Sequence, residues 1–181
     1  MRRMFLLVTL GAVVAATMAL TGAASAVPGS TDSDASKKLA EVRKVTAKYQ
    51  DVNEAWTDGY RIAGNGAEEP DPGHCVGGMG YHYVNEALIG DPSVDPLKPE
   101  VLLYAPSEAG PRLVGVEYLA VDDDQNVNTH NEYPPSLFGV PFDGPMLGHG
   151  PDIPVHYDLH VWTWEANPNG IFAPYNPNVR C

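Results

Sequence analysis

The stretch His156-Tyr157-Asp158-Leu159-His160-Val161-Trp162-Thr163-Trp164 indicates both the fold and a candidate site. Valine, tyrosine, tryptophan and threonine favour strands, and successive side chains of a strand point to opposite faces. One face of this strand would carry ordinary apolar residues. Because polar groups are costly to bury without partners, we expect the opposite face to line a site. That opposite face would carry two imidazoles, a carboxylate and two indoles: His156, Asp158, His160, Trp162 and Trp164.

A helix over residues 153–165 is the alternative interpretation. In a helix, His156 and His160 would lie one turn apart and could bind one metal ion together. The residue types favour the strand. In a strand the two histidines lie about 13 Å apart, from a rise of about 3.3 Å per residue. Each of them would then need metal-binding partners from elsewhere in the sheet.

The rest of the chain predicts an α+β fold, in which one N-terminal amphipathic helix packs on a small, mainly antiparallel sheet. Apolar residues recur at spacings of three and four between Asp34 and Asp58, which indicates the helix. Residues 27–181 are expected to form a single domain. The predicted strands lie at 81–84, 101–105, 112–121 and 155–165, with a hairpin loop over 106–111 and a long Pro/Gly-rich loop over 122–154.

The N-terminal segment indicates export. Arg2 and Arg3 precede an apolar run, and Ala24-Ser25-Ala26 has the small-x-small pattern of a cleavage site. We therefore expect residues 1–26 to be a signal peptide. A single-pass anchor is the alternative, but the apolar run is short for a membrane span. The mature protein is expected to be secreted or exported to the cell envelope, with no membrane attachment after cleavage.

The charge of the mature chain excludes some partners. Removal of residues 1–26 leaves 9 of the 11 basic side chains against 23 acidic ones, a formal charge of −14. With so few basic side chains, we expect no nucleic-acid partner. The acidic chain is compatible with attraction of cations. A metal ion or a small ligand is therefore the kind of partner that the composition allows.

Cys75 and Cys181 are the two cysteines of the chain. In an exported protein they are expected to form a disulfide, which would join the last residue to the loop after the helix. Closing a loop of about 100 residues stabilises a fold by roughly 4–5 kcal/mol in the chain-entropy model. His74 precedes Cys75, so a Cys/His nucleophile is the weaker alternative, because a free thiol would be oxidised outside the cell.

Glu117 is the other unusual residue of the predicted sheet. It would share a strand face with Leu113, Gly115 and Leu119, so it is a carboxylate on an otherwise apolar face. Imidazole and carboxylate together are the ligand set of zinc, copper, iron and manganese. The structural alternatives are a histidine that donates to a backbone carbonyl, or a carboxylate that pairs with a cation such as Arg112.

These observations predict a divalent metal site formed by His82, Glu117 and His160, with His156 and His149 as outer candidates. A binding protein would use these ligands to hold the ion. A metal-dependent enzyme would use the same ligands and keep one position open for water.

A binding module for a carbohydrate or a protein partner is the third alternative. Two indoles on one strand face can stack on a sugar. That module would use Trp162 and Trp164, with Asp158 beside them, and its histidines would be structural.

Several motifs together resemble a family of small exported bacterial proteins of unassigned function. The resemblance covers nearly the whole mature chain and implies export, but no activity. A fainter resemblance to the first cupin motif rests on His82 and Glu86, although Val84 stands where that motif has its second histidine. The family motifs are Gly78-Met79-Gly80-Tyr81-His82-Tyr83, Leu113-Val114-Gly115-Val116-Glu117-Tyr118, Leu159-His160-Val161-Trp162-Thr163-Trp164, Asn167-Pro168-Asn169-Gly170-Ile171-Phe172 and Asn176-Pro177-Asn178-Val179-Arg180-Cys181.

Overall fold

The computed structural model describes residues 30–64, 74–129, 134–148 and 153–181. The expected signal peptide lies outside these residues. None of the helices in the described ranges is long and apolar enough to span a membrane. The elements are helices α1 (Ser30–Thr46), α2 (Val52–Thr57) and α3 (Glu86–Ile89), a 3₁₀ turn (Ala47–Gln50), and strands β1 (Arg61–Ile62), β2 (Tyr81–Val84), β3 (Val101–Ala105), β4 (Arg112–Val121), β5 (Ser136–Leu137), β6 (Val140–Pro141), β7 (Asp143–Met146) and β8 (His156–Val161).

Six of the strands form one sheet in the order β1-β2-β3-β4-β8-β7. Every neighbouring pair in this sheet is antiparallel, and β5 and β6 form a separate small hairpin. The last of these strands along the chain, β8, pairs with the longest of them, β4, over six positions. The α+β fold predicted from the sequence is therefore confirmed.

The helical segment, which consists of α1, the 3₁₀ turn and α2, packs on one face of the sheet. The core between them, here called the helix-side core, is rich in tyrosine. Val42, Tyr49 and Ala55 from the helical segment pack against this face. A buried tyrosine needs a partner for its hydroxyl group. Tyr104 donates to the carbonyl oxygen of Tyr49 at 2.6 Å, and Tyr60 donates to a backbone carbonyl at 2.7 Å. These bonds tie the helical segment and the chain after it to the sheet.

The helical segment is broken, whereas the sequence predicts one continuous helix from Asp34 to Asp58. The α-helix ends at Thr46, and a new helix begins after Asp51. Asp51 has extended backbone angles, and its side chain accepts a hydrogen bond from the backbone N–H of Asn53. This aspartate therefore caps a second helix, which apolar spacing alone does not reveal.

The opposite face of the sheet carries a smaller apolar cluster and a group of buried polar residues. Val84, Val101, Leu103 and Trp162 belong to this second cluster, together with Val179 from the C-terminal tail. No helix of the described residues belongs to it apart from one side chain of α3, Ile89. The polar residues of this face form the candidate site.

The disulfide expected from the sequence is present between Cys75 and Cys181, with 5.7 Å between the two Cα atoms. It holds the C-terminal tail against the start of the sheet. Gly80, just before β2, allows a close approach to β3: it has φ +89°, and a Cβ atom there would lie 2.3 Å from the carbonyl oxygen of Tyr104. Only glycine tolerates both conditions.

Two strand predictions need correction. Leu113 does not share a face with Gly115, because β4 has a bulge between them and Leu113 packs in the helix-side core. A bulge adds one residue and so reverses the alternation of faces. The predicted loop over 122–154 contains three short strands, and β7 from this stretch is the edge strand beside β8. The sequence of β7, Asp-Gly-Pro-Met, contains glycine and proline, so it shows no alternation of apolar and polar residues that would indicate a strand.

Candidate metal centre

Strand pairing places four of the candidate residues beside one another. On β4 and β8, Glu117 lies directly opposite His160. Asp158 and His156 follow at alternate positions along β8, and alternate residues of a strand share a face. All four side chains therefore project from the face of the sheet that the helical segment does not cover.

His82 joins this group from β2, two strands away from β4. Backbones separated by one intervening strand are about 10 Å apart, which two long side chains can span. The intervening positions are Leu103 on β3 and Gly115 on β4. A Cβ atom on Gly115 would lie 3.2 Å from the ring of Trp162, so the glycine makes room for that indole.

The distances among His82, Glu117 and His160 fit a metal site. Nε2 of His82 lies 3.4 Å from Oε2 of Glu117, and Nε2 of His160 lies 3.9 Å from the same oxygen. Two ligand atoms that are each about 2.1 Å from a tetrahedral ion are about 3.4 Å apart. Ligand atoms of all three residues lie within 4.8 Å of one another. An ion could therefore enter with small side-chain movements.

A second set of ligand atoms lies beside the first. Glu117, His156 and Asp158 also have ligand atoms within 4.8 Å of one another. Nδ1 of His160 lies 3.9 Å from Oδ2 of Asp158, which links the two sets. The two sets share Glu117.

Burial makes the charges of this cluster unfavourable without a cation. The five residues of the cluster are each at most 5 % exposed: His82, Glu117, His156, Asp158 and His160. Burial, and after it the carboxylate of Asp158, raises the pKa of Glu117 well above its usual value. Burial, and after it the carboxylate of Asp143, raises the pKa of Asp158 to about 7. A bound cation would stabilise both carboxylates in their charged form.

Two buried oxygen atoms of the cluster also need a partner. Within the part of the chain that the structure describes, Oε2 of Glu117 and Oδ1 of Asp158 accept no hydrogen bond. A buried acceptor without a partner costs about 1–3 kcal/mol. A metal ion bound to these oxygens would offset that cost, so the electrostatics and the hydrogen bonding point to the same kind of occupant.

The two indoles of the β8 stretch do not share a face. Trp162 stacks beside His160 with 6.1 Å between ring centroids, and its N–H donates to a backbone carbonyl at 2.6 Å. Trp164 packs with the helix-side core, where the guanidinium of Arg43 lies over its ring and its N–H donates to Thr46. The alternation predicted through Trp164 is wrong because β8 ends at Val161 and the chain turns there.

Glu86 lies apart from the cluster. His149 lies outside the described residues. Glu86, the second residue of the cupin-like pair, is exposed on α3, whereas His82 is buried in the sheet.

The structure places two further acidic residues, Asp143 and Glu100, in or beside the sheet, and the sequence patterns do not indicate either of them. Asp143 lies opposite Asp158 on the edge strand, in a stretch without periodicity. Glu100 is buried beside the sheet, where its carboxylate accepts a hydrogen bond from the backbone N–H of Leu119. Burial raises the pKa of Glu100 to about 7. The sequence gives one indication that Glu100 is buried, which is its position directly before the buried strand β3.

Comparisons of this chain with protein-family models, with curated proteins and with solved structures find no match. The resemblance to a family of small exported proteins therefore remains a prediction from the motifs.

Proposed function

We propose that this protein binds a divalent transition-metal ion through His82, Glu117 and His160. The observation that carries the proposal is that three ligand atoms from three different strands lie within 4.8 Å of one another in a buried place. Two imidazoles and one carboxylate are a ligand set for zinc, copper, iron or manganese.

The burial of the ligands favours binding over catalysis. A catalytic metal keeps one coordination position open to water or substrate. Here His82, Glu117 and His160 are 5 %, 2 % and 1 % exposed. The same ligand set occurs in metal-dependent enzymes, so a turnover screen with the metal-loaded protein separates the two functions. Metal binding without turnover is the expected result.

The protein would hold its ion outside the cytoplasm. The signal-peptide pattern in residues 1–26 and the disulfide between Cys75 and Cys181 support export, because disulfides persist in oxidising compartments. The formal charge of −14 on the mature chain would attract cations from the surroundings.

Recognition of a carbohydrate by paired indoles is not favoured. Trp162 is 3 % exposed, and Trp164 packs on the other side of the sheet against Arg43. Stacking on a sugar needs an accessible aromatic face. The arrangement of these side chains therefore supports structural roles for both indoles.

The test is elemental analysis of the full chain, purified without an affinity tag and dialysed against zinc. Glu117→Gln keeps the shape of the side chain and removes its charge, so it is expected to lose most of the bound zinc. Glu100→Gln is the matched control, because Glu100 is also 2 % exposed but lies outside the cluster. The control is expected to bind zinc like the wild type. Equal zinc content in both variants would contradict the proposal.

A further inference from the structure

We infer that the cluster binds two metal ions, bridged by the carboxylate of Glu117; this inference rests on the proposed metal binding. The first set of ligand atoms comes from His82, Glu117 and His160, and the second from Glu117, His156 and Asp158. Each set lies within 4.8 Å, and each is buried. Glu117 is the only residue that both sets contain.

One ion cannot use all the side chains of the cluster. Among the described residues, neither set contains both His156 and His160. These two histidines are four positions apart on β8, which corresponds to about 13 Å along a strand. A metal ion lies only about 2.1 Å from each ligand nitrogen, so the two histidines serve two centres rather than one.

Glu117 has the position that a bridging ligand needs. Its oxygen Oε2 lies between the first pair of imidazoles, 3.4 Å from Nε2 of His82 and 3.9 Å from Nε2 of His160. A carboxylate has a second oxygen, which the second ion can use. Ions in two-metal sites are about 3.5–4 Å apart, a separation that one carboxylate spans.

The ligands of the second ion are also prepared for binding. Nδ1 of His156 lies 2.9 Å from the backbone carbonyl oxygen of Pro154. This contact places the ring proton on Nδ1 and leaves the lone pair on Nε2, the arrangement that is usual for histidines bound to metal. Oδ1 of Asp158 is buried and accepts no hydrogen bond from the described residues. The tautomer of His156 and the buried oxygen of Asp158 therefore both suit metal binding.

The charges near the second set accommodate a second ion. Glu117 and Asp158 contribute two negative charges, and Asp143 on β7 lies directly opposite Asp158 and adds a third. Two divalent ions would bring four positive charges to these three carboxylates, whereas a single ion at the first set would leave Asp158 and Asp143 facing each other.

Metal content of the full, tag-free chain saturated with zinc tests this inference. The wild type is expected to hold two zinc ions per chain, and Glu100→Gln is expected to hold the same number. His82→Ala and His156→Ala are each expected to hold one. One ion per wild-type chain would overturn the bridged pair and leave the proposed binding intact, whereas none would overturn both.

A spectroscopic measurement on the wild type needs no variant to fold. Two manganese(II) ions that share a carboxylate are magnetically coupled, so the electron paramagnetic resonance spectrum of the manganese-loaded chain is expected to show a coupled pair. The signal of isolated manganese ions at full loading would overturn the inference. Circular dichroism of the histidine variants confirms that any lost ion reflects lost ligands.

Discussion

The stability of the metal-free protein is expected to fall as the pH rises, because Asp158 is buried in a place that disfavours its charge. Its ordinary pKa of 3.8 rises to about 7 in the folded protein. A difference of one in pKa corresponds to about 1.4 kcal/mol, so this residue accounts for about 4 kcal/mol of folding stability. Because the folded pKa is raised, the contribution is present below about pH 4 and is lost as the pH rises to about 7.

Urea unfolding of the wild type and of Asp158→Asn, both in the presence of a chelator, measures this loss. The wild type is expected to lose about 4 kcal/mol more than the variant between about pH 4 and pH 7. Asparagine keeps the size of the side chain and cannot ionise, so the difference reports the charge of Asp158 together with its effect on the pKa of Glu117. Parallel pH profiles for the two proteins would refute the argument.

Zinc is expected to act in the opposite direction on the same protein. Metal ligands must be deprotonated to bind, so the stabilisation by zinc grows as the pH rises. At a free concentration of 100 times the dissociation constant, binding adds about 2.7 kcal/mol for each ion. The fall in stability seen with chelator should therefore shrink at neutral pH when zinc is present, and an unchanged profile would contradict metal binding.

Three further predictions concern residues outside the cluster. Burial raises the pKa of Glu100 from 4.5 to about 7, so the wild type is expected to lose about 3 kcal/mol of stability between about pH 4.5 and pH 7, and Glu100→Gln is expected to remove this loss. The same urea titrations measure the difference. Replacing Cys75 and Cys181 together by serine is expected to cost about 4–5 kcal/mol in urea unfolding, since the disulfide closes a loop with a sequence separation of 106; a loss below about 1 kcal/mol would contradict that role. Gly80→Ala is expected to lower the melting temperature more than Gly110→Ala, because both glycines have positive φ but only at Gly80 would the added carbon lie 2.3 Å from a carbonyl oxygen; equal shifts would show that the close contact does not matter.

The alternation of side chains in β8 can be predicted from the sequence because strand period and residue type agree there. It indicates that His156, Asp158 and His160 share a face, and the structure has them on one face. Glu117 is recognisable as a carboxylate among apolar neighbours. That Glu117 lies opposite His160 depends on the register of β4 and β8, which no local pattern in either segment determines.

Features that depend on tertiary contacts are the ones that the sequence does not reveal. The bulge between Leu113 and Gly115 turns Leu113 to the helix side of the sheet, and no local sequence pattern indicates the bulge. The end of β8 at Val161 moves Trp164 to the helix side. The edge strand with Asp143 contains glycine and proline, which usually indicate a loop. In each case a contact made elsewhere in the chain overrides the local preference.

X-ray absorption spectroscopy of the zinc-loaded full chain tests the metal centre most directly. We expect nitrogen and oxygen ligands at about 2.0–2.1 Å, with the outer-shell scattering that imidazole rings produce. Replacing His160 by alanine is expected to reduce that imidazole scattering, whereas Glu100→Gln is expected to leave it unchanged. A zinc ion surrounded by water oxygens alone, or a spectrum that does not change when His160 is replaced, would contradict metal binding by the buried cluster.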